Sequence, residues 1–218
     1  MKFPNESKSY RAARNKLLGA EKALRRKVEA VAALRRTLPR GGVVPEDYVF
    51  DDANGKIRLS ELFADHDTLI AYSFMYGPKM AKACPMCSSM LDGLKGNAPH
   101  IAQRASLVVI AKSPIERIRE FARQRGWTNL RLLSSAGNDY NRDYFGENAE
   151  GGQLPMLNVF VRKGGNVRHC YGTELLFAKA DPGQNNRHVD MLWPLWNAFD
   201  LTPEGRGKDW YPKLDQRA

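Results

Sequence analysis

Leu69-Ile70-Ala71-Tyr72-Ser73-Phe74-Met75-Tyr76 and, eight residues later, Cys84-Pro85-Met86-Cys87 are the stretches that decide the fold. The first is a short, nearly continuous apolar run, which is typical of a strand buried in the middle of a sheet. The second begins a helical spacing of apolar residues that continues to Ile101, so a helix is predicted to begin at the cysteines. The chain has only three cysteines, which favours redox or metal chemistry over a disulfide scaffold.

The residues before the central strand predict a long helix and a hairpin. Leu17, Leu24, Val31 and Leu38 recur every seven residues, so one helix is expected over residues 6–38, ended by Pro39. Asn54-Gly55 lies between two β-rich runs and indicates a hairpin turn.

The residues after the cysteines alternate between strands and helices. Gly96 and Pro99 are expected to kink or restart the helix that starts at the cysteines, with Asn97 as a second cap. The remaining elements are predicted as strands over 107–110, 131–133, 157–161 and 167–171, and helices over 113–126 and 189–199, the last bent by Pro194. This order predicts an α/β fold, a mixed sheet flanked by helices, with antiparallel strands at its end.

The positive charge of the chain is concentrated in its first forty residues. The net charge is +10, and residues 1–40 hold twelve Lys and Arg against three Glu. We therefore expect a basic amphipathic helical arm over 1–40, a domain over 41–201 and a C-terminal tail over 202–218. The arm lacks interleaved aromatic residues, so a nucleic-acid partner is not expected.

Neither a signal-peptide core nor an apolar run of about 18 residues is present in the sequence. A cytoplasmic protein without a membrane partner is therefore expected. The arm helix would be about 50 Å long at 1.5 Å per residue. Its apolar stripe must pack against another surface to be shielded from water. A homodimer through this helix is the expected arrangement.

The position of Cys84 at the start of a helix favours its thiolate form. Backbone N–H groups and the positive end of the helix dipole lower the pKa of a thiol placed there, and Lys79 and Lys82 add positive charge. Cys87 follows one turn later, close enough for a disulfide. The alternative is half of a zinc site, completed by His169-Cys170, although zinc usually takes four ligands at regular spacing.

Two motifs in this order resemble the thioredoxin superfamily. The first is Cys84-Pro85-Met86-Cys87 after a strand, and the second is Leu154-Pro155 followed by an apolar strand and the turn Lys163-Gly164-Gly165-Asn166. The hairpin around Asn54-Gly55 is similar to that of the peroxiredoxin-like branch. Nearly the whole chain resembles the domain of unknown function 899 family. The resemblance includes the basic N-terminal helix, Phe74–Pro78, His169 with Tyr171, and residues 200–206. This family is described as predicted dithiol-disulfide oxidoreductases with a thioredoxin-like fold.

The resemblance implies a role for each matching residue. Cys84 would attack, Cys87 would resolve, and Pro155 would be the cis-proline that faces the dithiol. Leu154, Pro85 and Met86 would complete the substrate-binding surface. The tryptophan that precedes the first cysteine in thioredoxin is Ala83 here. The buried acid of thioredoxin's central strand has no match either, and Tyr72 or Ser73 lies near that place.

The leading hypothesis is a thiol-disulfide oxidoreductase that needs no cofactor or metal. Its substrate would be a disulfide-containing protein or small molecule. A thiol reductant would return its cysteines to the reduced form. A thiol peroxidase is the first alternative, although the Thr expected three residues before the cysteine is Ala81 and Arg162 is the arginine considered for the pocket. A non-enzymatic, metal-holding or binding module is the second. Lys82, Tyr76 and His169 are auxiliary candidates, His169 as a proton carrier or as an ordinary strand residue.

Overall fold

A computed structural model describes residues 2–39, 41–186, 193–202 and 212–214. The chain forms two compact units, residues 1–40 and 41–218. The predicted tail over 202–218 and the first residues of the predicted helix over 189–199 lie largely outside the described residues.

The first unit is built on one long helix, α1, over Lys8–Arg36, which confirms the helix predicted from the heptad spacing. Ser7 caps it, because its Oγ accepts a hydrogen bond from the Tyr10 N–H at 3.0 Å. Glu6 pairs with Arg11, and Arg14 pairs with Glu21 at 3.0 Å. No residue of α1 is buried.

The second unit contains one mixed sheet of seven strands in the order β2-β1-β5-β4-β3-β6-β7. The central strands β3, β4 and β5 are parallel, and every other neighbouring pair is antiparallel. The strands are β1 Val49–Asp52, β2 Gly55–Arg58, β3 Thr68–Ser73, β4 Ser106–Ala111, β5 Arg131–Ser134, β6 Met156–Lys163 and β7 Asn166–Gly172.

Within the described residues, four α-helices accompany the sheet: α2 Pro85–Ile101, α3 Ile115–Gln124, α4 Tyr140–Asp143 and α5 Leu195–Phe199. The predicted restart of the helix near Gly96 and Pro99 is wrong, since α2 runs through both residues. Pro99 lies in the last turn and removes a single backbone donor, while the buried face of Leu91, Leu94 and Ala98 continues past Gly96.

The two faces of the sheet carry separate apolar cores. Successive residues of β3 alternate between them, as the pleat requires: Tyr72 lies in the core under α2 and α3, and Leu69 and Ala71 lie in the core that contains the β1 hairpin. A fully buried leucine such as Leu69 contributes about 1.5–3 kcal/mol. The central parallel strands are therefore covered on both sides.

The turn between β6 and β7 confirms the second hairpin predicted from the sequence. Gly164 and Gly165 have φ of 59° and 77°, which a tight two-residue turn requires and which glycine adopts without strain. With β6 antiparallel to the central β3 and a helix that begins at the cysteines, the unit has the predicted thioredoxin-like fold.

Candidate functional site

Cys84 lies at the N-terminus of α2, at the carboxyl end of β3. It is the residue before the first helical turn, with φ of −63° and ψ of 123°, and Pro85 occupies the first helical position. Its N–H donates to the Met75 carbonyl at 3.1 Å. Its own carbonyl accepts from the Ser88 N–H at 3.0 Å and the Ser88 hydroxyl at 2.9 Å. These bonds fix the backbone of Cys84 at the positive end of the helix.

The two cysteines of the motif differ in exposure. Cys84 is partly exposed, whereas Cys87 has no exposed surface and belongs to the core under α2. Both are thiols in the structure. Residues three apart on a helix have Cβ atoms about 5–6 Å apart, so the two thiols are near neighbours. An external disulfide reaches Cys84 before it reaches Cys87.

An arginine that the sequence analysis missed holds the loop that leads to Cys84. Arg117, in α3, donates from Nη1 to the Gly77 carbonyl at 3.1 Å and from Nη2 to the carbonyls of Met80 and, at 3.4 Å, Ala81. Its guanidinium carbon lies 4.2 Å from the centroid of the Tyr76 ring. Nothing in the spacing of α3 distinguishes Arg117 from the other arginines of that helix.

The lysine and tyrosine chosen as auxiliary residues lie on either side of this loop. Tyr76 is buried, and its ring centroid is 5.4 Å from that of Phe121 and 5.8 Å from that of Phe74. Lys82, two residues before Cys84, is exposed, as is Lys79. Tyr76 therefore supports the base of the loop, and the lysines lie on its solvent side.

Pro155 enters the same end of the sheet from β6. Met156 pairs with Ser73, the last residue of β3, so Pro155 lies beside the point where the chain leaves the sheet towards Cys84. Leu154 and Pro155 are both partly exposed. The expected cis bond between them is wrong: the described residues contain no cis peptide bond, and trans is the intrinsically favoured form before proline.

Polar contacts connect the Pro155 segment to the cysteine loop. A Cβ on Gly77 would lie 2.8 Å from Cγ of Gln153, so the two loops are in close contact. The Gln153 Oε1 accepts from Asn141 Nδ2 at 3.4 Å, and Asn141 Oδ1 accepts from the Ser135 hydroxyl at 2.8 Å. The Leu154 N–H donates to the Gly146 carbonyl at 2.9 Å. Buried hydrogen bonds thus fix the position of Leu154-Pro155.

Pro85 and Met86 differ in what they offer a substrate. Pro85 is partly exposed beside Cys84, whereas Met86 is 6% exposed and belongs to the core. Of the four residues expected to form a substrate-binding surface, Pro85, Leu154 and Pro155 are therefore partly exposed and Met86 is packed in the core.

His169 lies on the opposite face of the sheet from the two cysteines. Its Nε2 is 2.9 Å from Asn158 Oδ1, and its ring centroid is 5.4 Å from that of Phe160 and 5.5 Å from that of Tyr144. Burial lowers the pKa of His169. Its contacts are those of a structural histidine, and the structure does not bring it to the dithiol.

Cys170 sits at a β-bulge, where the register between β6 and β7 shifts. Its Sγ donates to the Val159 carbonyl at 3.3 Å, and burial raises the pKa of its thiol. Within the part of the chain that the structure describes, no three His, Cys, Asp or Glu side chains are placed to share a metal ion.

The two residues considered for the missing acid face in opposite directions. Tyr72 belongs to the same core as Cys87. Ser73 faces the other side, where a Cβ on Gly146 would lie 2.7 Å from its Oγ. Of the pair, Tyr72 is the one on the side of the cysteines.

The arginine considered for a peroxidase pocket is remote from Cys84. Arg162 donates to the carbonyls of Ser60, Ala64 and His66 at 3.2, 2.9 and 3.1 Å. Its neighbour Val161 pairs with Thr68, the first residue of β3. The cysteine loop leaves the other end of β3, about 17 Å away at 3.3–3.4 Å per residue.

Part of the C-terminal region packs on the same face as the cysteines. Trp193 is 1% exposed and belongs to the core that contains Cys87, and Leu195 and Phe199 pack against that core.

None of the described helices is both long and apolar enough to cross a membrane.

A family model described as "Bacterial protein of unknown function (DUF899)" matches residues 1–217. No curated protein matches the chain. Among solved structures, the chain is similar to peroxidoxin BcpB from Mycobacterium tuberculosis, with 24% identity, coverage of 62% of this chain and 84% of that chain, and a TM-score of 0.46. It is also similar to thioredoxin peroxidase I from Plasmodium yoelii, with 16% identity, coverage of 83% and 100%, and a TM-score of 0.45.

Proposed function

We propose that this chain, which belongs to the DUF899 family, is a thiol-disulfide oxidoreductase in which Cys84 attacks and Cys87 resolves. The observation that carries the proposal is the difference between the two cysteines. Cys84 is partly exposed at the N-terminus of α2, and Cys87 is fully buried one turn later. This arrangement suits one thiol to an external disulfide and the other to an internal one.

The proposed reaction has two exchange steps. The Cys84 thiolate attacks one sulfur of the substrate disulfide, so that a mixed disulfide forms and the other substrate sulfur leaves as a thiolate, which takes up a proton. Cys87 then loses its proton and attacks the Cys84 sulfur. The second substrate thiol is released, and a Cys84–Cys87 disulfide remains. Two electrons pass from the dithiol to the substrate, and an external thiol reductant restores the dithiol.

The helix start supports the first step. The N–H groups of the first turn of α2 have no carbonyl partners within the helix, and they and the helix dipole favour negative charge on Cys84. Pro85 fits the first helical position without the loss of a needed donor. Lys79 and Lys82 are exposed within five residues of Cys84 and add positive charge on the solvent side.

The surface beside Cys84 supports a peptide-like substrate. Pro85, Leu154 and Pro155 are apolar and partly exposed, and Leu154-Pro155 directly precedes the antiparallel strand β6. An extended substrate segment beside Leu154 would find apolar contacts there. A disulfide in a protein or peptide therefore fits this surface better than a small, highly charged disulfide.

Insulin reduction in the presence of a thiol reductant tests the proposed function. Wild type should accelerate precipitation of the insulin B chain, Cys84→Ser should abolish the acceleration, and Cys87→Ser should accumulate a mixed disulfide that mass spectrometry detects on Cys84. Cys170→Ser is the matched control and should retain activity. A wild type that consumes hydrogen peroxide with the reductant but leaves insulin intact would replace this function with a thiol peroxidase.

A further inference from the structure

The α1 helix carries an apolar stripe that nothing in its own unit covers. Leu17 and Leu24 are 52% and 65% exposed, and Tyr10 is also exposed. Val31 completes the seven-residue series, and no residue of α1 is buried. We call Tyr10, Leu17, Leu24 and Val31, with Ala13, Ala20 and Leu34 between and after them, the α1 stripe.

The spacing of the α1 stripe fits a helical partner. A strict seven-residue repeat corresponds to 3.5 residues per turn, which keeps the stripe facing a second helix as the two wind around each other. The stripe occupies the a and d positions of the heptads, with Tyr10, Leu17, Leu24 and Val31 at a. Lys27 occupies the remaining d position. In a parallel, in-register pair it lies beside its own counterpart, and this like-charge contact costs stability.

The charges of α1 lie mostly away from the stripe. The helix carries ten Lys and Arg against two Glu, a ratio that opposes pairing if the charges face one another. Six of the ten, however, occupy the outer b, c and f positions: Lys8, Arg11, Lys22, Arg25, Arg26 and Arg36. Two copies can therefore join along the stripe with most of their positive charge turned outwards.

The flanks of the stripe complement a second copy in the parallel orientation. One flank carries Ser9, Lys16, Ala23 and Ala30 at the g positions, and the other carries Arg14, Glu21, Val28 and Arg35 at the e positions. In a parallel pair each g position meets the e position of the next heptad on the other helix. Lys16 then meets Glu21, and Ala23 meets Val28. Arg14 and Arg35 then meet Ser9 and Ala30, which carry no charge.

We propose that α1 pairs in parallel, and in register, with α1 of a second copy of this chain. The twofold axis runs along the pair, so each Leu or Val of the stripe faces its own counterpart. The Lys16–Glu21 contact forms twice. Within each chain Arg14 also binds the Glu21 carboxylate, at 3.0 Å, which orients it towards the flank of the stripe.

Light scattering on the full-length chain tests the proposal. Wild type at tens of micromolar in moderate salt should have about twice the chain mass of 24.6 kDa, and Leu24→Glu should be monomeric. Leu18→Glu is the matched control: Leu18 is 42% exposed but lies outside the stripe, so the variant should stay dimeric. Both leucines are exposed, so circular dichroism of both variants should match wild type.

A charge exchange tests the parallel register. Glu21→Lys should raise the dimer dissociation constant by about threefold to thirtyfold, because it removes two exposed ion pairs. The double variant Lys16→Glu with Glu21→Lys should restore a dissociation constant close to that of wild type. Failure of the double variant to restore pairing overturns the parallel register.

Three other outcomes overturn the pairing itself. Monomeric wild type shows that a second copy does not cover the stripe. A Leu24→Glu variant that remains dimeric places the interface elsewhere. Monomeric wild type that sediments with phosphatidylglycerol vesicles, but not with phosphatidylcholine vesicles, assigns the stripe to an anionic lipid surface.

Discussion

Arg117 covers the ring of Tyr76, with its guanidinium carbon 4.2 Å from the ring centroid, and the same guanidinium binds backbone carbonyls on the loop to Cys84. One side chain of α3 thus joins the core under α2 to the segment that presents the thiol. The planar guanidinium of arginine holds several N–H donors in a fixed geometry and can bind these carbonyls together. The ammonium group of lysine cannot do so.

Replacement of Arg117 should loosen the loop before Cys84. In Arg117→Ala, trypsin should cut after Lys79 and Lys82 at least several times faster than in wild type, and alkylation of Cys84 at pH 6 should slow. The free energy of unfolding should fall by about 2–3 kcal/mol, since hydrogen bonds from a charged group are lost. Arg117→Lys should restore the loop only in part.

Arg119→Ala is the control for the Arg117 prediction, because Arg119 is exposed on the same helix. It should leave both trypsin cleavage and alkylation unchanged. Equal effects of the two substitutions would show that the loop responds to the charge of α3 and not to the Arg117 contacts.

Cys84 should be the first cysteine to react with iodoacetamide near pH 7. It is partly exposed at a helix N-terminus, whereas Cys87 is fully buried. Burial raises the pKa of Cys170, so a smaller fraction of it is thiolate at that pH. Peptide mass spectrometry after short reaction times measures the order, and earlier modification of Cys170 would contradict the assignment.

Tyr72 should affect the resolving step and not the attacking step. Its side chain belongs to the core that contains Cys87, so Tyr72→Phe removes a hydroxyl from the side on which Cys87 must lose its proton. The mixed disulfide should persist severalfold longer, with the alkylation rate of Cys84 unchanged. Ser73→Ala, on the other face of the sheet, is the comparison and should change neither. Identical lifetimes in wild type and Tyr72→Phe would remove Tyr72 from the reaction.

His169 should make the folded state sensitive to acid without an effect on the thiol chemistry. Burial lowers its pKa, so the unfolded chain binds the proton more tightly than the folded chain. Stability should therefore be complete above the unfolded pKa of about 6.5 and fall as the pH drops below it. His169→Gln should flatten the decrease between pH 7 and 5 in denaturant titrations. The pH profile of Cys84 alkylation should be the same in both proteins, and a shifted profile would return His169 to the site.

The strand that leads to the cysteines, the helix that follows them and both hairpins could be predicted because each has a local signature. The apolar run, the helical spacing after Cys87 and the glycines of the turns determine them within a few residues. The short helix α4 has too few residues for a periodic pattern. Arg117 could not be identified, because its partners are backbone carbonyls of a loop some forty residues earlier in the chain.

The face on which His169 lies could not be predicted for a different reason. A regular strand puts residues two apart on one face, so His169 and Tyr171 are expected together. The bulge pairs Tyr171 with Val159 and His169 with Phe160, which are consecutive residues of β6. Because β7 has one extra residue at the bulge, the rings of His169 and Tyr171 lie on opposite faces of the sheet. No residue type in the sequence marks the position of the bulge.

The contact between Gly77 and Gln153 makes the two loops beside Cys84 a single mechanical element. A substrate that displaces one loop must displace the other, together with the hydrogen-bonded chain from Gln153 through Asn141 to Ser135 at the end of β5. The sheet thus opposes any separate movement of the two loops. Substrate selection should depend on the shape that the two loops already have, so peptides that are rigid and extended around their disulfide should react faster than peptides that require the loops to move apart.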